Sequence, residues 1–426
     1  MNFDKRTLLI GGGVLIFFII VFVVIFGSGV GGDRTVTPTR VQLSIWGIVD
    51  TPNEFGPFIE AYRNAFGSEV KYQQFSQVDY ERRLLEALAA GKGPDIYAIK
   101  NTWIPRYQDK ITPAPINLLN LRQLEEEYVE VVSSDIIIGD RIYSLPVSVD
   151  TLALFYNKDM FNAAGVAAPP KTWQEFAILS QRLTQKSGIF GTIERSGAAL
   201  GRGDNVANFK DIISLMMMQA GEKMVDEAKR VSFDRVGGPS ALDFYVSFSK
   251  QGNVNQSWDA SMPNSLEAFA TGKVAMVLGY NSDLDFIRAR SPQLNFGVAK
   301  APQQQGSAAN VTHASYWTWV VSNQSQNADQ SWQLLNLLRE NDEVLFEYLL
   351  NSEMAPAQRR FIPQFQAAPI VGIYSEQNLT AKSWFQRDEE AVSRIFANMV
   401  NSLLEGRLDA RRALQEAAFQ VSRIVQ

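Results

Sequence analysis

Three indoles, two carboxylates and a tyrosine–asparagine pair stand where apolar runs of this chain begin or end. Trp46 closes the run VQLSIW, and Asp50 follows four residues on. The run DIYAI gives way to KNTW, which supplies Lys100, Asn101 and Trp103. KVAMVL leads into Gly279, Tyr280 and Asn281, Trp317 lies within HASYWTWVVS, and Asp150 within LPVSVDTLALFYN. Flat aromatic faces hold weakly polar C–H surfaces, whereas carboxylates and amides accept or donate hydrogen bonds in fixed directions. That combination suits reversible capture of a hydroxyl-rich small molecule. Bond-making chemistry finds little support. His313 is the single histidine and has no serine or carboxylate at triad spacing. One histidine cannot build a histidine zinc site, and the absence of cysteine excludes thiol catalysis, thiolate metal sites and disulfides. No cofactor is expected.

Each of these residues has a competing, purely structural role. Asp50 precedes Pro52 and could close an Asx turn or cap a helix. Trp46 could be buried core, and Trp103, beside Pro105, could pack against its own lobe. Side-chain alternation puts Trp317 and Trp319 on one face of a strand and Tyr316 on the other. Arg359 in APAQRR, with Asp204 and Asn205 in a Gly-rich stretch, could be solvated loop residues. Tyr156 and Asn157 are expected to fasten a turn, and Met216, Met217 and Met218 to fill an apolar helix face.

The elements that must position these groups follow from periodicity. VQLSIW alternates as a strand does, and Phe55, Phe58, Ile59, Tyr62 and Phe66 recur at helical spacing. VKYQQF gives a second strand, Tyr80, Leu84, Leu85 and Leu88 a second helix, and GKGP ends it before DIYAI. This β-α-β-α-β order predicts a parallel sheet with ligand at the carboxyl ends of its strands. Further along, Thr172 and Glu175 have the spacing of a capping box. Residues 187–208 are Gly-rich and polar and are expected to form a long loop. KVAMVL, 273–278, reads as a central strand buried on both faces, and 296–302 and 313–322 as two more strands. Helical spacing runs from Trp332 to Leu350, is interrupted at 353–360, and resumes from about Ser383 to the end.

At 426 residues with 46% hydrophobic content, the chain has material for two cores. Its net charge of -5 is mild and dispersed, which argues against a nucleic-acid partner. Residues 8–26 carry no charge and are long enough to cross a bilayer, and Lys5 and Arg6 ahead of them hold the N-terminus in the cytoplasm. The expectation is a cytoplasmic stub at 1–7, an uncleaved single-pass membrane anchor at 8–26 and a flexible tether at 27–40, with the folded body extracytoplasmic. Cleavage of 8–26 as a signal is the alternative and gives a secreted protein.

The stretch DRIYSLPVSVDTLALFYNKDMFNAAGVAAPPKTWQEF, with GKGPDI before it and GKVAM after it, resembles family 1 extracellular solute-binding proteins. These are the maltose-binding-protein-like receptors of ABC importers. The resemblance covers most of the chain after residue 40. It implies an α/β fold of two hinged lobes, the type II periplasmic-binding-protein architecture. The implied division is 41–149 with 318–366 for the N-terminal lobe and 150–317 with 367–426 for the C-terminal lobe. It implies further that Asp150 stands at a crossing between lobes, that Tyr280 and Asn281 occupy a ligand-stacking strand tip, and that Trp317 lies on the strand returning to the first lobe. The expected ligand set is therefore Trp46, Asp50, Asn101, Trp103, Asp150, Tyr280, Asn281, Trp317 and Arg359. The implied function is a monomeric receptor, not an enzyme, that carries a sugar or oligosaccharide to an ABC permease. A ligand-sensing subunit of a signalling receptor and a surface glycosidase remain open as alternatives. A glycosidase needs two carboxylates about 5–9.5 Å apart, for which Asp50 and Asp150 are candidates. The strand-tip residues, mainly aromatic with few charges, favour a sugar over phosphate or polyamine.

Overall fold

The computed structural model describes residues 41–48, 50–187, 191–235, 237–306 and 310–425. The anchor at 8–26 and the tether at 27–40 lie outside the described residues. Among the described residues no helix is long and apolar enough to cross a membrane.

In chain order the strands are β1 (Gln42–Gly47), β2 (Glu69–Gln74), β3 (Ile96–Lys100), β4 (Ile111–Thr112), β5 (Ile137–Ile138), β6 (Arg141–Ile142), β7 (Ala153–Asn157), β8 (Gln185–Ser187), β9 (Thr192–Ala198), β10 (Val274–Gly279), β11 (Phe296–Lys300), β12 (Thr312–His313), β13 (Trp317–Ser322) and β14 (Ala381–Lys382). Ten of them build two five-stranded sheets, β2-β1-β3-β13-β4 and β11-β7-β10-β9-β8, each at the heart of one lobe, while β12 pairs with β14 and β5 with β6.

The first sheet forms as the alternation dictates. Leu43 and Ile45 are fully buried, and β1 pairs in parallel with both β2 and β3. The helix Pro52–Phe66 starts at a complete capping box between Thr51 and Glu54 and buries Phe55, Phe58 and Tyr62. Burying one such side chain is worth ~1.5–3 kcal/mol. Strand β13 enters this sheet after the whole second lobe has been built, antiparallel to β3, with Trp317 opposite Lys100 and Trp319 opposite Ala98. The predicted strand at 313–322 is thus two, β12 and β13, separated by a crossing between lobes.

In the second sheet every residue of β10 is buried, as its unbroken apolar run requires, and it lies between β7 and β9. Here the expectation of a long loop at 187–208 is overturned, because Thr192–Ala198 is strand β9. Gly197 marks a close approach within it: an added Cβ would lie 2.0 Å from the Ser180 carbonyl oxygen of the helix Trp173–Leu183. The glycine that lowers strand propensity is the one that lets that helix press onto the strand. The Thr172 cap is also only half as expected. Its hydroxyl accepts from Glu175 N at 3.2 Å, but the Glu175 carboxylate reaches Lys171 N at 2.7 Å instead of the cap residue's own amide.

Two antiparallel passes of chain join the lobes. Leu145 bridges Trp319, Thr151 bridges Ala314, Ser315 N donates to Asp150 O at 3.0 Å, and Leu152 N to His313 O at 2.9 Å. Asn378 fastens the pair to a third pass, its Nδ2 donating to Val149 O and Pro356 O, both at 3.1 Å. After β14 the chain ends in the helices Glu389–Leu404 and Ala410–Val425, packed on each other and on Gly237–Ser247.

Candidate functional site

Between the lobes lies a cleft of about 940 Å³, lined from both sides. The first lobe supplies Asp50 and Glu54 beyond β1, Phe75 beyond β2, Lys100 at the end of β3, and Trp317 and Trp319 from β13. The second supplies Lys210 and Asp211 from the helix Phe209–Gln219, Tyr280 to Asp283 beyond β10, and Glu389. Its location at the carboxyl ends of β1 and β3 is the place an open parallel arrangement leaves free for a ligand.

Asp50 is 5% exposed, and Tyr348 donates its hydroxyl to Asp50 Oδ1. Burial pushes this carboxyl up to about 6 against the pull of that hydrogen bond. Asp150 lies at the crossing and accepts from Asn281 N at 2.8 Å and Ser282 N at 3.0 Å, so it ties the crossing to the tip of β10 while lining the cleft. Burial raises it to about 7 although two backbone amides favour the anion. Asp150 therefore fastens the crossing and faces the cleft at once. Trp317 is half-buried, edge-on to Trp103 at 5.4 Å and to Tyr80 at 6.2 Å, and Trp319 lies on the same strand face, as the alternation requires.

Tyr280 reaches the cleft but turns inward. Its ring is 6% exposed and its hydroxyl donates to Asp211 Oδ2 at 2.9 Å. With its one proton committed there, the hydroxyl accepts from His313 Nδ1 at 2.9 Å. Burial pushes His313 down to about 4, so it is neutral near pH 7. Burial also opposes the charge on Lys210, yet Asp211 and Glu389 beside it outweigh that and hold the ammonium above its ordinary value. Glu389 Oε1 stands 3.6 Å from Lys210 Nζ and 3.8 Å from Lys100 Nζ of the other lobe, and Thr102 donates to its Oε2 at 3.0 Å. The floor of the cleft is therefore an ionic network running from lobe to lobe. Among the described residues there is no group of His, Asp and Glu suited to a metal ion.

Of the residues expected from sequence, Asp50, Asp150, Tyr280, Asn281 and Trp317 line the cleft together. Four others lie elsewhere. Trp46 packs its ring on Phe75 at 4.5 Å behind the cleft wall. Asn101 is buried, donating to Asp135 Oδ2 at 2.8 Å and accepting from Tyr316 N at 3.2 Å. Trp103 stacks on Tyr107 at 5.9 Å, and Arg359 Nε donates to Tyr128 O at 2.7 Å. Glu54, Phe75, Asp211, Tyr348, Glu353 and Glu389 were missed as cleft residues. For Glu54 a signal existed, since a capping-box glutamate directly after a strand tip faces the same side as that tip. Phe75 also carried a signal, as the residue that ends the predicted second strand; Asp211, Tyr348, Glu353 and Glu389 arrive from segments remote in sequence. The cleft also departs from the expected balance of many aromatics and few charges, because these remote segments bring mostly carboxylates.

Residues 50–344 match the family model for bacterial extracellular solute-binding proteins. A binding protein of Brucella abortus is 21% identical over 394 residues, covering 87% of this chain and 90% of the relative. The maltotriose-binding protein of Pyrococcus abyssi is 20% identical over 312 residues, covering 71% of this chain and 63% of that one. Among solved structures, the cyclic alpha-maltosyl-1,6-maltose binding protein of Arthrobacter globiformis aligns with a TM-score of 0.75 at 21% identity, covering 91% of this chain and 99% of the other. An ABC transporter solute-binding protein of Thermotoga lettingae, solved with alpha-D-tagatose, aligns at 0.72 and 23% identity, covering 91% and 100%. With its two lobes, its multiple crossings and a family match over most of its length, this chain belongs to the bacterial extracellular solute-binding proteins.

Proposed function

We propose that this protein is a non-enzymatic receptor that binds a saccharide between its lobes and presents it to an ABC permease outside the cytoplasm. The observation that carries the reading is the cleft of about 940 Å³ whose walls come from both sides of a multi-stranded crossing. A ligand touching both walls has differential affinity for the closed arrangement and shifts the equilibrium towards it, and closure gives the permease a shape to recognise. The sugar-binding relatives support a saccharide, as do Trp317 and Phe75 lining the same space as amides and carboxylates. In this reading the lobes divide as 41–149 with 317–366 and 150–316 with 367–426, one residue earlier than the sequence suggested because Trp317 already pairs with Lys100 in the first sheet; residues 8–26 anchor a monomer in the membrane, and 27–40 tether it.

A thermal-shift screen of a carbohydrate panel tests the proposal. A solute bound only by the folded form stabilises it by about 2.7 kcal/mol at 100 times its Kd. The expected result is a rise in Tm for at least one saccharide, accompanied by a smaller radius of gyration in X-ray scattering. Product release from an oligosaccharide would instead establish the glycosidase reading.

A further inference from the structure

The charges of the cleft are unbalanced in one direction. Eight carboxyl groups line it against three cations, Lys100, Lys210 and Arg288. Each cation is already engaged, by Glu389, Asp211 and Glu353 respectively. Asp50, Glu54, Asp150, Asp283 and Asp285 are left without a Lys or Arg within ion-pair distance among the described residues. Most acidic surfaces are simply solvated, but Asp50 is 5% exposed. Its Oδ1 accepts from Tyr348, and its own backbone amide adds a second hydrogen bond, but among the described residues no cation stands beside it. A buried anion that lines a ligand cavity without a countercharge is costly unless one arrives there.

A second feature points the same way. Trp317 and Phe75 line this space, and the π-face of an aromatic ring attracts a cation as a carboxylate does. Gln74, Asn208, Ser315 and Ser393 lie among the acids and offer partners to hydroxyl groups. A neutral sugar would give its hydroxyl protons to these amides, hydroxyls and carboxylates but would bring no positive charge to offset five carboxyls without a cation. A bare polyamine would do the reverse.

We propose that the solute is a saccharide bearing a protonated amino group, with Asp50 of the first lobe and Asp150 at the crossing as its anionic partners and Trp317 as its flat face. The assignment rests on the receptor reading above and deepens it. The raised carboxyls of Asp50 and Asp150 agree with it, since an ammonium between the lobes favours the ionised form of both.

Titration calorimetry on the full chain at neutral pH tests it with four probes: chitosan trisaccharide, its fully N-acetylated counterpart, maltotriose and spermidine. The free-amine trisaccharide is expected to bind at least tenfold more tightly than each of the others. Asp50→Asn, which keeps the shape and the oxygen that accepts from Tyr348, is expected to remove that preference while circular dichroism stays unchanged. Equal or tighter binding of maltotriose or the acetylated sugar overturns the cationic assignment and leaves the receptor reading intact. Tighter binding of spermidine overturns the saccharide part. Retention of the preference in both Asp50→Asn and Asp150→Asn overturns the residue assignment, and no binding of any probe overturns this inference.

Discussion

At the scale of single residues, Asp50 shows how a ligand site conflicts with stability. Its carboxyl moves from 3.8 to about 6, first because burial disfavours the anion and then because Glu54 adds like charge, while the Tyr348 hydroxyl opposes both. A carboxyl with a higher pKa folded than unfolded supports the fold while protonated. That support is complete below about pH 4 and is lost as pH rises through about 6. Asp50→Asn fixes the neutral state, so it should stabilise the apoprotein at pH 8 by at most about 3 kcal/mol, with the gain fading to nothing at pH 4. Urea unfolding of both proteins across that range checks the sign, and equal stability at pH 8 contradicts the buried anion. Asp50 was legible from its place beyond a strand tip, whereas Asp150 was legible only through the resemblance, which placed it at a crossing. Tyr280 was legible in place but not in direction. Its inward turn depends on Asp211 and His313, which lie 69 and 33 residues away in the chain.

At the scale of elements, strands whose burial follows period two or an unbroken apolar run could be read directly, as β1, β3 and β10 were. Strand β9 could not, because TIERSGA lacks both patterns. It is a strand through its parallel pairing with β10 and through the helix that covers it, and both are tertiary facts. Gly197 is the element's critical position. Gly197→Ala would drive a methyl group into the Ser180 carbonyl, where backbone and not a flexible side chain must yield. Overpacking of this kind costs about 3 kcal/mol. The expected outcome is a lower urea midpoint with an unchanged slope, and a loss below about 0.5 kcal/mol would show that the helix is not held against the strand. The same dependence on tertiary placement explains why Glu389 was invisible as a cleft residue. It reads as an ordinary first-turn acid of a helix and becomes part of the cleft only because that helix returns to face Lys100.

At the scale of the whole molecule, two bodies meet across a cleft, and their relative position is set by the crossings and by a few contacts over the rim. Glu353 is the clearest of these contacts. It follows the helix Asp342–Asn351 of the first lobe with φ 52, a left-handed conformation unfavourable for a residue with a side chain. From there its carbonyl accepts from Asn281 Nδ2 at 2.9 Å and its carboxylate from Arg288 Nη1 at 2.8 Å, both donors belonging to the second lobe. Since the ion pair is 41% and 54% exposed, it contributes under about 1 kcal/mol, which limits its effect on the balance between open and closed forms to about fivefold. Arg288→Ala should therefore enlarge the radius of gyration of the ligand-free protein in X-ray scattering and weaken a bound solute by no more than that factor, since it touches the rim and not the floor. A larger loss would place Arg288 in direct contact with the solute. An unchanged scattering profile together with unchanged affinity would mean that the crossings alone set the angle between the lobes.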